Sequence, residues 1–137
     1  NFADALLGIL AQRLVRTLCK SCKELYQPTK EEYDEIVESY GEEAFAKLKI
    51  PYNNNFKLYR PTGCDMCDRT GYRGRMGIHE LLVASDQIKR LIQKRETVEV
   101  MRVQAMAEGM TTLLQDGIIK SLKGFTDFIQ VRRVCVR

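Results

Sequence analysis

The sequence predicts a mixed α/β fold, mostly helical, in which two apolar strands flank a long cysteine-bounded excursion and a run of short helices closes the chain. Three observations lead there. Cys19-Lys20-Ser21-Cys22 and Cys64-Asp65-Met66-Cys67 are two Cys-x-x-Cys pairs separated by about 40 residues. An apolar run leads into the first pair and another follows the second. Beyond Ser85, apolar residues recur at helical spacing behind Ser and Thr residues suited to N-caps.

Two Cys-x-x-Cys pairs supply four thiolates, the full ligand set of a closed tetrahedral zinc site, so Cys19, Cys22, Cys64 and Cys67 are the candidate metal ligands. The two-residue gap lets each knuckle turn both sulfurs towards one ion. The intervening loop exceeds ordinary zinc-ribbon spacing and is expected to carry structure of its own. Disulfide staples fit poorly: no secretory leader is visible, and Cys135 is left over as a buried or terminal free thiol. A thioredoxin-like redox motif needs only one such pair. His79, the single histidine, sits inside an apolar run and reads as a strand residue, not a ligand.

The chain has 137 residues, 45% hydrophobic and 29% charged, enough for one globular domain or a small domain with a clipped-on subdomain. It opens on Asn1 and an apolar run, which suggests a piece of a longer protein. The early apolar stretch, residues 6–11, is too short to cross a bilayer, and the expected location is cytoplasmic with no membrane insertion. Net charge is +4. A four-thiolate zinc site contributes about −2, leaving a balance too weak to demand nucleic acid. Charge is uneven: residues 29–50 hold seven acids against three lysines, whereas residues 57–75 hold five basic residues against two acids. The basic strip around the second knuckle is therefore the surface with the stronger claim to a use.

Taken in order, Gly8 suggests a short helix ending nearby, followed by a strand over residues 11–17. Thr29 and Glu32 form a capping-box signature ahead of Tyr33, Ile36, Val37 and Tyr40 at helical spacing. Gly41 interrupts, and Ala44, Phe45 and Leu48 form a second, shorter stripe. Asn53, Asn54 and Asn55 make a turn before a short strand over residues 56–59. After the second knuckle, glycines at 71, 74 and 77 signal tight turns, and residues 78–83 read as a buried strand. The simplest topology makes the two long strands neighbours, with the metal tying off the excursion between them. Four helices follow: one capped by Ser85 burying Ile88, Leu91 and Ile92; one capped by Thr97 burying Val98, Met101 and Ala105 and ending at Gly109; one opened by Thr111 or Thr112 with Leu113, Leu114, Ile118, Leu122 and Phe125 on one side; and one capped by Thr126 with Phe128, Ile129 and Val131 inward.

The ordered motifs Ala11-Gln12-Arg13-Leu14-Val15-Arg16-x-Leu18-Cys19-x-x-Cys22 and Pro61-Thr62-Gly63-Cys64-x-x-Cys67-x-x-Thr70-Gly71-Tyr72-Arg73-Gly74-Arg75-x-Gly77-Ile78-His79-Glu80-Leu81-Leu82 resemble the C-terminal part of the ATPases that drive type II secretion and type IV pilus assembly in bacteria. Glu108-Gly109-Met110-x-Thr112-Leu113 and Asp116-Gly117 extend the resemblance. It implies a homo-hexameric motor using ATP and Mg2+ on a RecA-like core. Residues 1–18 would end that core, 19–72 form the zinc insert, 73–84 return as a core strand, and 85–137 form a helical bundle. It also implies a bacterial cytoplasmic protein held at the inner membrane through platform proteins. The sequence contains no Gly-x-x-x-x-Gly-Lys-Ser/Thr loop, so this chain alone is expected to be inactive as an ATPase.

Within that resemblance Arg75, which starts the returning strand, is the favoured phosphate contact, and Arg13 and Arg16 on the partner strand are further candidates. Two other readings compete. A zinc-knuckle nucleic-acid binder would use the basic strip with Tyr59 and Tyr72, but the acidic insert would repel a phosphate backbone. A zinc-bearing chaperone fragment would need more repeats of the cysteine pair than the two present.

Overall fold

The computed structural model describes residues 8–135, so the helix expected before Gly8 lies outside the described residues. Gly8 itself belongs to a long strand: β1 (Gly8–Leu18) includes three residues more at this end than the expected strand over residues 11–17. Then come β2 (Glu24–Tyr26), α1 (Lys30–Tyr40), α2 (Glu42–Ala46), β3 (Leu58–Arg60) and β4 (Tyr72–Val83), with a single 3-10 turn at Asp65–Cys67. Four helices close the chain, α3 (Asp86–Gln93), α4 (Val98–Ala107), α5 (Leu113–Leu122) and α6 (Phe128–Val134).

The two long strands pair antiparallel, as the expected topology requires, with Gly8 opposite Val83, Arg13 opposite Ile78 and Arg16 opposite Arg75. The register then slips. Leu18 faces Tyr72, so β4 spends Arg73 and Gly74 where β1 spends only Thr17. Gly74 takes φ +86°, the left-handed conformation that a one-residue bulge of this kind asks of glycine. The excursion has its own small antiparallel sheet, β2 with β3, in which Glu24 faces Arg60 and pairs with it at 2.5 Å.

Helix α1 forms where its capping box predicts. Thr29 Oγ1 accepts the Glu32 N–H at 3.2 Å, and the Glu32 carboxylate accepts the Thr29 N–H at 3.1 Å. Ile36 and Tyr40 on one face of α1 pack with Phe45, Phe56, Leu58 and Ile118 into the larger core. Tyr33 meets Phe45 and Phe56 edge-on, at ring-centroid separations of 5.7 and 5.0 Å. Because Ile118 belongs to α5, the excursion does not fold on itself alone. Buried Gln115 adds to the join by donating from Nε2 to the Tyr40 carbonyl at 2.8 Å.

On its other side α5 meets the β1–β4 ribbon and α6, where Val15, Ile78 and Val131 form a second buried cluster. Gly117 permits that contact: a Cβ there would lie 2.5 Å from Val131 Cγ1. Helix α3 is capped by Ser85, and α4 by Thr97, as expected. They pack on each other and bury Ile88 and Ala105.

Three inward residues of the expected pattern are in fact exposed. Val98 is 74% exposed at the first turn of α4, and Phe125 and Ile129 are exposed as well. The last helix also starts one residue later than expected. Asp127, not Thr126, is its N-cap, accepting the Gln130 N–H at 2.9 Å, because the Thr126 hydroxyl is committed to β1.

Candidate functional site

The antiparallel ribbon and the small sheet bring the two knuckles face to face. Cys19 follows the last residue of β1, and Cys67 lies five residues before β4, so pairing the two strands carries both pairs to one end of the ribbon. The four Sγ atoms lie within 4.8 Å of one another. Three of the separations, Cys19–Cys64, Cys22–Cys67 and Cys64–Cys67, are 3.8 Å. That spacing discriminates between readings. A disulfide needs ~2.05 Å, whereas a tetrahedron of sulfurs ~2.3 Å from a central zinc has edges of ~3.8 Å. The residues present therefore fit a metal ion, and the donor set suits zinc.

The surroundings are built to hold thiolates. Gly63 N–H donates to Cys22 Sγ at 3.3 Å, Gly71 N–H to Cys67 Sγ at 3.2 Å, and Cys64 N–H to Cys67 Sγ at 3.3 Å. Backbone donors of this kind orient the ligands and disperse their charge. Asp68 and Arg69, at φ 55° and 65°, bend the chain left-handed after the second knuckle, and Gly71 follows at φ +85°. A Cβ on Gly71 would fall 2.4 Å from Pro61 Cβ, so this residue must be glycine for the two arms of the site to close. Thr62 locks the arms together by donating its hydroxyl to the Cys22 carbonyl at 2.6 Å.

The thiols do not ionise alike. Burial opposes the Cys67 thiolate, but the Cys64 and Gly71 N–H groups and the adjacent thiols outweigh it and bring its pKa to about 6. Burial dominates at Cys64, which is pushed up to about 11. The Thr62 hydroxyl lowers Cys22. Sulfurs this close cannot all carry charge without a cation among them, which is the electrostatic counterpart of the geometric fit.

The ribbon sorts the candidate arginines. Arg16 and Arg75 stand directly opposite each other and so share one face, both exposed. Arg13 stands opposite buried Ile78 on the other face, with its Nη1 donating to the Gln12 carbonyl at 3.0 Å. The structure thus brings two of the three together. His79 lies in β4 opposite Gln12, away from the cysteine cluster, and Cys135 closes α6 as a half-buried free thiol. Residue-type reasoning missed Thr62, Gly63 and Gly71, which contribute through backbone atoms or a hydroxyl. Their signal was the Thr-Gly preceding Cys64 and again following Cys67.

Two facing knuckles at the end of an antiparallel ribbon, closed by short helices, define a four-cysteine, metal-competent α/β module. The chain belongs to the Type II/IV secretion system protein family, whose sequence model matches residues 1–133. It is 41% identical over 132 residues to the type II secretion system ATPase E of Vibrio cholerae, covering 96% of this chain and 24% of that protein. It is 37% identical over 131 residues to the type IV pilus assembly ATPase PilB of Thermus thermophilus, covering 96% and 14%. With the PilB of Pseudomonas aeruginosa the identity is 36% over 134 residues, covering 98% and 22%. The chain thus spans a quarter or less of the length of these relatives. Among the described residues no helix is long and apolar enough to cross a membrane.

Proposed function

We propose that this chain is the C-terminal zinc-binding and intersubunit region of a hexameric ATPase that powers bacterial type II secretion or type IV pilus assembly. Cys19, Cys22, Cys64 and Cys67 are its zinc ligands, and the zinc is structural, because four protein thiolates leave no open coordination position for chemistry. The observation that carries the reading is the co-occurrence of family membership along almost the whole chain with four sulfurs spaced as a zinc tetrahedron.

On this reading the β1–β4 ribbon continues a RecA-like core sheet, which suits its exposed Leu10, Leu14, Leu81 and Val83. ATP and Mg2+ bind upstream of this chain, and Arg75 with Arg16 faces the nucleotide phosphates, since planar guanidinium donors match phosphate oxygens and stay charged at any working pH. Partners are the rest of the motor, further copies in the hexamer, and inner-membrane platform proteins that hold an otherwise cytoplasmic machine at the membrane. A zinc-knuckle nucleic-acid module is the weaker reading. The basic face of the ribbon offers guanidiniums, but Tyr72 is occupied by Arg16 and Tyr59 by Lys23, so neither ring is open for base stacking.

The test is genetic. Deleting the gene that encodes this chain abolishes type II secretion or piliation; a deletion strain that secretes and pilates normally contradicts the proposal.

A further inference from the structure

The register places Arg16 directly opposite Arg75, like charges that repel across a strand pair unless an anion is brought to them. Among the described residues neither forms an ion pair. Arg16 is nevertheless held at both ends. Its carbonyl accepts the hydroxyl of fully buried Thr126 at 2.7 Å, and its guanidinium carbon lies 4.6 Å from the centre of the Tyr72 ring. The Tyr72 hydroxyl in turn donates to Asp127 Oδ2 at 2.5 Å, while Asp127 Oδ1 caps α6. The same turn adds a third grip, the Phe125 carbonyl accepting the Leu18 N–H at 2.9 Å.

We propose that Tyr72 and the turn at residues 125–127 form a clamp that presents Arg16, beside Arg75, to a phosphoryl oxyanion. The proposal rests on the reading of these arginines as phosphate contacts and adds the positioning residues that make Arg16 fit for it. The clamp explains an arrangement that stability alone does not favour, an exposed guanidinium held over a ring, on the residue paired with another arginine. Three consecutive residues of one turn are spent on the ends of β1 and β4, and one carboxylate serves both the helix cap and the tyrosine. Donation of the hydroxyl to a carboxylate makes the ring more electron-rich, which strengthens its hold on the guanidinium. Burial and Asp127 push the Tyr72 pKa to about 12, so that hydroxyl stays a donor at any working pH. Tyr72 also adjoins the metal centre: Gly71 donates to Cys67 Sγ and accepts from the Cys19 N–H at 2.9 Å. The knuckle therefore fixes the residue on which Arg16 rests.

Two measurements test the clamp. In the 137-residue chain the Arg16 Nε–H proton is shifted upfield by the Tyr72 ring current; Tyr72→Leu removes the shift, and Tyr72→Phe keeps it. In the full-length motor, with zinc content and assembly verified, Arg16→Ala lowers kcat about ten-fold, and Tyr72→Leu lowers it about two- to five-fold. Tyr72→Phe recovers most of that loss. The double variant is no slower than Arg16→Ala alone, since Tyr72 acts through Arg16. An Arg16 signal without a ring-current shift overturns the clamp, and so do losses that add in the double variant. Wild-type turnover in assembled Arg16→Ala overturns the phosphate reading itself. Wild-type turnover in Tyr72→Leu with a slow Arg16→Ala overturns only the clamp.

Discussion

Removing the metal, by chelation or by Cys67→Ser, is predicted to unfasten more than the knuckles. A tie across a loop of about 40 residues withdraws chain entropy from the unfolded state worth ~4 kcal/mol. A bound structural zinc adds its own affinity, on the order of 10 kcal/mol in small zinc peptides, against a whole-domain stability of roughly 5–15 kcal/mol. The structure says where the loss travels. The excursion's core shares Ile118 with α5, with Leu114 and Leu122 of the same helix packed against it, and Gln115 holds the end of α1. Amides of α1, β3 and α5 should therefore lose protection together. The α3–α4 pair, which packs on itself and reaches β4 through the Arg102–Glu80 ion pair, should lose far less. Hydrogen exchange read by mass spectrometry, with and without metal, resolves these segments. Loss of ~4 kcal/mol or more in residues 19–72 and in α5, with α3 and α4 within about 1 kcal/mol of their starting values, is the expected pattern. Unchanged protection of α1 and β3 in metal-free protein refutes the reasoning.

Gly71→Ala forces a Cβ to 2.4 Å from Pro61 at a positive φ, and should cost about 2–3 kcal/mol in denaturant unfolding and weaken metal retention. Gly117→Ala presses on Val131 across the α5–α6 contact and should cost about 1–3 kcal/mol by thermal melting while leaving metal content unchanged. Alkaline pH should destabilise the fold. Burial, then neighbouring carboxylates, push Tyr26 and Tyr72 to about 12, whereas the unfolded chain releases these protons near its ordinary value of 10.0. The folded state thus holds protons the unfolded state has lost, and their contribution, complete below pH 10, disappears as pH rises towards 12. Urea midpoints between those limits should fall, and fall less in Tyr72→Phe. On the proposed function, Arg75→Ala in the full-length protein should lower ATP turnover about ten-fold, ~1.4 kcal/mol of transition-state stabilisation, with metal content and assembly unchanged.

The parts of the fold that were legible in the sequence are those encoded by local chemistry. The capping boxes and caps at Thr29, Ser85, Thr97 and Thr112 each accept the backbone N–H their position predicts. The knuckle spacing correctly anticipated four converging sulfurs, and the flanking apolar runs correctly anticipated two paired strands. Long-range competition decided the rest. Thr126 looks like a cap but serves the Arg16 carbonyl 110 residues away in sequence, leaving the cap to Asp127. Strand β2 is three residues long and exists because β3 pairs with it. Phe56, expected in a strand, is a core residue just before one. Strand alternation alone puts Arg13 and Arg16 on opposite faces, but that Arg75 joins Arg16 depends on the pairing register, which composition does not reveal.

X-ray absorption at the zinc edge, on protein purified without chelator or acid, reaches the central claim most directly. The account predicts one zinc per chain with four sulfur neighbours at ~2.3 Å and no nitrogen or oxygen in the first shell. Protein that folds without zinc, or zinc with fewer than four sulfurs, would contradict it.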